Sequence, residues 1–294
     1  MDARTPEHQY VVGQARPTFA ALFEEFASAN ALARARGQWL VDVEYGSHPR
    51  QRIDVCLASR EAMGTVLYFH AGYWQSRDKG QFHFLAPALC RAGFHVAFVG
   101  YPLCPEVSLA ALTASVRDAL PAIVQVLPER PKPLPLIATG HSAGAHLSVE
   151  LALAQDDSTP AHQRLSGLVP ISGIYDLSPL LETTLNERLR LDIQTARAAS
   201  PVLRVRAGMP PATFLVGAEE TAAFLDQNRS MAAAWSMAGN RADCDELPGL
   251  DHFSLLSVLS RSNGPLVQRL RFLCSSVNWA DSTGRRNTGL SNRF

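Results

Sequence analysis

The chain has 294 residues, of which 47% are hydrophobic, enough to bury one large core. Lys plus Arg and Asp plus Glu number 27 each, so there is no broad basic field to draw in a nucleic acid or an anionic membrane. No apolar run approaches the roughly 18 residues that span a bilayer. The start, MDARTPEHQY, is polar and has no signal-peptide core. The five cysteines, Cys56, Cys90, Cys104, Cys244 and Cys274, lack CxxC spacing, which argues against disulfides and a cysteine zinc site. A cytoplasmic protein is expected.

The first predicted element is a helix in PTFAALFEEFASANALARARG, where Phe19, Leu22, Phe23 and Phe26 recur at helical spacing. Two strands with period-two alternation follow, QWLVDVEYG and QRIDVCLA, separated by the turn GSHPR. Short, almost wholly apolar runs come next: TVLYFH, FHVAFVGY, PLIATGH, GLVPISG and ATFLVGA. Such runs suit parallel strands buried on both faces. Helical segments lie between them. GQFHFLAPALCRAG ends in Gly93, a C-cap; SLAALTASVRDALPAIVQVL starts at Ser108 as N-cap and must kink or split at Pro121; SAGAHLSVELALA and AAFLDQNRSMAAAWSMAG complete the set. ADCDEL is a further strand, and the polar ending from Asp281 reads as a loose tail. Strand and helix in alternation predict a mostly parallel α/β sheet of eight strands with helices on both faces, as one domain over residues 1–280. Ligands of such sheets sit beyond the carboxyl ends of the strands.

Gly140-His141-Ser142-Ala143-Gly144 lies between a predicted strand and a predicted helix. This is the Gly-x-Ser-x-Gly elbow, in which a sharp turn exposes a serine and the glycines let strand and helix cross closely. The plain alternative is a Gly-flanked serine acting as a helix N-cap. A serine nucleophile needs a base and, behind it, an acid. Of the histidines after Ser142, His146 falls inside the following helix and reads as a core residue, and His162 lies in the polar loop DDSTPAHQR. His252, in LPGLDHFSLL, follows a strand and a Gly turn, where the base belongs. The acid is expected after ATFLVG, where Glu219 and Glu220 are adjacent and only one can reach. Asp176 is a fallback and Asp251 a turn former. Oxyanion donors are expected from the N–H of Ala143 and from the loop FHAGYW, at Gly72 and Tyr73.

With these residues in place, the sequence resembles the kynurenine formamidases (arylformamidases), within the hormone-sensitive-lipase-like α/β hydrolases. HAGYW resembles their His-Gly-Gly-Tyr-Trp loop, and GHSAGAHL, ISGIYDLSPL, LVGAEETAAFLDQNR and GLDHFSLL resemble their nucleophile, post-strand, acid and histidine segments. YPLCPE echoes the Tyr-x-Leu-Ala-Pro-Glu segment of the wider group. The resemblance implies an α/β-hydrolase fold with a small helical cap, Glu220 as the acid, no metal or organic cofactor, and cleavage of an aryl formamide through an acyl-enzyme. A carboxylesterase on small acyl esters would use the same residues, and a catalytically dead receptor of this fold would be expected to lack a triad member. Ala71 stands where the family has glycine, a methyl that could narrow the pocket, and Glu stands where Asp is commoner. Trp74, Tyr175 and Phe253 are candidate substrate-binding aromatics, with Tyr73 beside them. Residues 17–36 and 177–201 are expected to cap the strand ends over a small, aromatic substrate. Leu-rich helices would also serve a homodimer.

Overall fold

The computed structural model describes residues 2–283. Eight strands form one sheet: β1 Trp39–Glu44, β2 Arg52–Cys56, β3 Gly64–Phe69, β4 Phe94–Val99, β5 Leu136–His141, β6 Leu165–Ile171, β7 Ala212–Gly217 and β8 Ala242–Leu247. Their order is β1-β2-β4-β3-β5-β6-β7-β8. β2 is antiparallel to β1 and β4, and from β4 onward every pair is parallel. All eight strands coincide with expected ones. β3, β4, β5 and β7 are buried at every position, which is why they read as continuous apolar runs.

The helices are α1 Pro6–Tyr10, α2 Phe19–Arg36, α3 Ala86–Ala92, α4 Leu109–Ser115, α5 Ala119–Val126, α6 Ala143–Leu153, α7 Asn186–Leu189, α8 Ile193–Ala198, α9 Ala222–Met237, α10 Ser254–Leu259 and α11 Pro265–Thr283. Gly93 closes α3 with φ +95°, the left-handed C-cap expected of it. Ser108 caps α4 by accepting the Ala111 amide. Pro121 does split its segment: its ring would strike the carbonyl of Arg117, and a 3-10 turn at Val116–Asp118 separates α4 from α5.

That segment corrects one expectation. Leu109–Val126 is, by length and composition, apolar enough to cross a membrane. The apolarity has another use here, since Leu112, Val116, Ala119, Leu120 and Ile123 are buried in the core cluster under the sheet. A second departure is at the C-terminus. α11 continues to Thr283, past Asp281, and the rest of the expected tail, 284–294, lies outside the described residues.

Two apolar clusters fill the two faces. One gathers β-strand side chains with α4, α5, α6 and α9; the other packs α3, α10 and α11 on the opposite face. α6 runs through the first, with every residue from Ala143 to Ala152 buried. This close approach explains the elbow glycines. A Cβ on Gly144 would lie 1.9 Å from the Phe69 carbonyl oxygen, and one on Gly140 would lie 2.3 Å from the Gly144 carbonyl oxygen. Both obstacles are backbone and cannot turn aside.

The regions expected as a cap pack as follows. α2 lies against the 3-10 helix Lys79–Leu85, with Phe26 and Phe84 stacked at 4.1 Å, and Trp39 Nε1 donates to the Ala33 carbonyl at 3.1 Å. The 178–198 region is tied to α1, where Glu7 accepts from both the amide and the hydroxyl of Thr184 at 2.8 Å.

Candidate active site

Ser142 follows β5 directly, as N-cap of α6, with φ +56° and ψ −117°. That left-handed φ is costly for a residue with a Cβ. It is held by the Ser142 amide, which donates to the Ile171 carbonyl at 2.8 Å, and by the Ser142 carbonyl, which accepts from Ala145 and His146 at 3.0 and 3.3 Å. Ser142 Oγ has no hydrogen-bond partner among the described residues, so nothing structural occupies it. In the first turn of α6 the amides of Ala143 and Gly144 have no intrahelical acceptor, and the helix dipole adds positive potential there.

β7 ends at Gly217, and Glu220 follows three residues on. Glu220 is buried and Glu219 exposed, which separates the two carboxylates. Glu220 Oε2 accepts from His252 Nδ1 at 2.7 Å. Its Oε1 accepts from Ser172 Oγ at 2.5 Å and from the Gly217 amide at 2.9 Å. The carboxylate is thus fixed on both oxygens, and its fourfold acceptor capacity is largely used. His252 follows β8 and is 2% exposed. Its ring lies 4.5 Å from that of His141, the residue before Ser142, and 4.6 Å from Phe224. These tilted and edge-on ring contacts bring the His252–Glu220 pair to the elbow. With Nδ1 donating to Glu220, Nε2 is the nitrogen left to accept a proton.

The loop after β3 turns through Gly72 (φ +127°), Tyr73 (φ +51°) and Trp74 (φ +61°). A Cβ on Gly72 would lie 2.2 Å from the Ser76 carbonyl oxygen, so only glycine fits. The Gly72 carbonyl accepts from Gln75 and Ser76, whereas the amides of Gly72 and Tyr73 donate to no described residue. The far end of the loop is anchored by charge. Asp54, fully buried on β2, lies 3.0 Å from Lys79 Nζ and 3.0 Å from His83 Nε2 and accepts the Asp42 amide at 2.9 Å. Burial opposes its ionisation, but the contact with His83, the amide and Lys79 together outweigh burial and hold the carboxyl down at about 2.

His70 opens the same loop. Its Nδ1 donates to the Ala71 carbonyl at 2.7 Å, and its ring stacks on Tyr101 at 4.1 Å, whose hydroxyl donates to the His70 carbonyl at 2.7 Å. Burial is the main cause that lowers its pKa to about 4. An unfolded His70 takes up a proton near pH 6.5, but the folded one only near 4, so folded stability falls as pH drops through that window. The full loss is on the order of 3 kcal/mol. Urea unfolding at pH 7.5 and 4.5 should show a steeper drop for the native chain than for His70→Gln. Equal drops would mean that His70 is not held neutral. Asp54 acts only lower, between its ordinary range and about 2.

Several site expectations are corrected by position. Trp74 is fully buried, with its ring edge-on to His146 at 5.0 Å; the left-handed backbone turns it down onto α6 instead of toward the mouth. Tyr175 is also fully buried, packed on Phe214 at 5.6 Å, because Gln227 of α9 accepts its amide at 2.7 Å and draws the segment inward. Ala71 belongs to the core cluster and is 1% exposed, so its methyl packs inward and does not narrow the pocket. Its φ is not left-handed, so a side chain there costs nothing. Phe253 stays half-buried, edge-on to Phe19 at 4.8 Å, Phe23 at 4.9 Å and His252 at 5.0 Å. His146 is core, with Nε2 on the Ala199 carbonyl at 2.9 Å; His162 is exposed. Asp251 caps α10 by accepting the amides of Phe253 and Ser254 at 3.1 and 2.8 Å, and Asp176 accepts the Ser178 amide at 2.9 Å, so neither takes the acid position.

Sequence reading does not find Ser172 or Tyr10. Ser172 stands just past β6 with φ +50°, and the strand-end rule that located Glu220 points to it equally. Tyr10, on α1 ahead of the expected cap, accepts the Tyr73 hydroxyl on its carbonyl, and its own hydroxyl accepts from Gln227 Nε2 at 2.7 Å. No motif marks that contact.

An α/β-hydrolase fold family model matches residues 66–256. Kynurenine formamidase of Danio rerio is 31% identical over 250 residues, covering 83% of this chain and 84% of its own length. The chain belongs to the kynurenine formamidase family of α/β hydrolases. Among solved structures, one from Silicibacter sp. TM1040, described as a candidate thioesterase, is 28% identical with a TM-score of 0.80, covering 91% of this chain and 98% of that one. Esterase B of Lactobacillus rhamnosis, at 17% identity, shares the fold, with a TM-score of 0.70 over 92% of this chain and all of that one. This family member is therefore a hydrolase, and the strand ends that carry Ser142, Glu220 and His252 form its candidate centre.

Proposed function

We propose that this hydrolase cleaves an aryl formamide of the N-formylkynurenine type by acyl transfer to Ser142. The observation that carries the reading is the buried hydrogen bond from His252 Nδ1 to Glu220 Oε2 at 2.7 Å, set beside a left-handed Ser142 that caps α6. His252 Nε2 takes the serine proton as Oγ attacks the formyl carbon. The hydrogen bond to Oγ forms as substrate closes the site, as is common for catalytic bonds that are open in the free enzyme. The N–H groups of Ala143, Gly72 and Tyr73 bind the oxyanion. The imidazolium, stabilised by Glu220, then gives its proton to the departing aryl amine. Water, activated by the same histidine, attacks the formyl-enzyme and releases formate.

The formamide choice is supported by the Danio rerio relative and by the aromatic group of Phe19, Phe23 and Phe253 beside His252, which suits an aryl leaving group. A reducing, cytoplasmic setting goes with it, since all five cysteines are free thiols. Steady-state rates on N-formylkynurenine and on p-nitrophenyl acetate test the reading. A kcat/KM for the formamide at least equal to that for the ester is expected. Fast ester cleavage with negligible formamide cleavage would make the protein a carboxylesterase acting through the same residues.

A further inference from the structure

Arg77 is a cation beside the candidate centre whose surroundings the reaction above does not explain. It stands at the end of the oxyanion loop with φ +69°, a backbone held from outside, since its carbonyl accepts from Arg50 Nη2 at 2.6 Å. The guanidinium lies over the Phe23 ring at 4.3 Å and against Phe253 at 5.3 Å. Two ring faces hold a cation in place but satisfy none of its five N–H donors. Among the described residues no carboxylate pairs with it. The adjacent Asp78 accepts the Gly80 amide and faces Arg50 at 3.4 Å instead. Burial lowers the pKa of Arg77, so the charge is partly stripped of water without a counter-ion. Its field also helps to keep His70 and His141 neutral. A guanidinium left in that condition is unfavourable on its own and is relieved by an anion that fills its fork.

Its place identifies the anion's source. Phe253 is edge-on to both His252, at 5.0 Å, and His141, at 5.4 Å, so a single ring separates the charge from the elbow. We propose that Arg77 is the receptor for a carboxylate carried by the substrate, which makes the site select carboxylate-bearing over carboxylate-free acyl compounds. The guanidinium would take the carboxylate bidentately while the scissile carbonyl lies at Ser142, with Phe253 packed along the spacer between them. This rests on the acyl transfer proposed for Ser142, and it deepens the formamide reading without depending on it.

The test compares matched pairs in which the carboxylate sits on the leaving aryl half: 4-(2-formamidophenyl)-4-oxobutanoate, which is N-formylkynurenine without its ammonium, against 2′-formamidobutyrophenone, and 4-(4-acetoxyphenyl)butanoate against 4-butylphenyl acetate. For Arg77→Gln, KM of the carboxylate-bearing member should rise at least ~10-fold with kcat within about threefold, while the neutral member changes less than about threefold. Arg77→Lys should recover part of the loss, as a point charge without the fork. On the unaltered protein, raising salt should raise KM for the carboxylate members only. That measurement stands even where Arg77→Gln does not fold. Equal losses on both members of a pair, or a KM for the acidic members insensitive to salt, would overturn the proposal. Turnover of the esters with no turnover of either formamide would remove the formamide reading and leave the Arg77 comparison to be decided on the ester pair.

Discussion

Replacing Ser142 with alanine is expected to lower kcat by at least ~10⁴-fold on either substrate class, leaving only what the oxyanion donors and binding supply. The size follows from what is removed. Without Oγ there is no covalent intermediate, and His252 has no nucleophile to deprotonate. Fold loss would not explain the result, because Ser142 Oγ has no hydrogen-bond partner among the described residues and alanine keeps the same Cβ at φ +56°. Denaturant unfolding should therefore place Ser142→Ala within about 1 kcal/mol of the native chain. Steady-state kinetics on N-formylkynurenine and p-nitrophenyl acetate supply the measurement. A Ser142→Ala protein that hydrolyses either at the native rate would remove the whole mechanism.

The second large effect is at Glu220. Glu220→Gln should cut kcat by ~10³–10⁴-fold with KM little changed. Ser172 Oγ and the Gly217 amide both donate to Oε1, so a glutamine there keeps its carbonyl oxygen on that side and turns its NH₂ toward His252. His252 Nδ1 must then accept instead of donate. The ring proton moves to Nε2, the nitrogen that has to take the proton of Ser142. Geometry is preserved and the tautomer is wrong. Glu219→Gln is the control: its side chain is exposed, and activity should stay within about twofold. A loss that follows Glu219 and spares Glu220 would reverse the assignment.

The two glutamates also show where the sequence stops. Both follow β7, both carry the same charge, and spacing alone places either one within reach. Burial separates them, and burial comes from Ser172 just past β6 and His252 beyond β8, residues 48 and 32 positions away. Ser172, Tyr10 and Arg77 escaped for the same reason. Each matters through a partner distant in the chain, and none sits in a local pattern that demands it. The aromatics failed in the opposite sense. Trp74 and Tyr175 sit in loops next to the elbow, where aromatics suggest a binding wall, yet a left-handed backbone at Trp74 and the Gln227 contact at Tyr175 turn them into the core.

By itself the sequence determined the eight strands, their mostly parallel class, the elbow at Ser142 and the strand ends at which a base and an acid are expected. These are short-range properties: continuous apolar runs mark strands buried on both faces, a caps-and-glycine code marks helix ends, and the elbow glycines are dictated by a backbone approach that only a strand followed by a buried helix creates. The tertiary structure alone decided which carboxylate holds His252, which aromatics face the mouth and where an unpaired guanidinium stands. Those outcomes depend on long-range contacts and on the exchange of water for protein around each polar group, and a local pattern in the chain encodes neither.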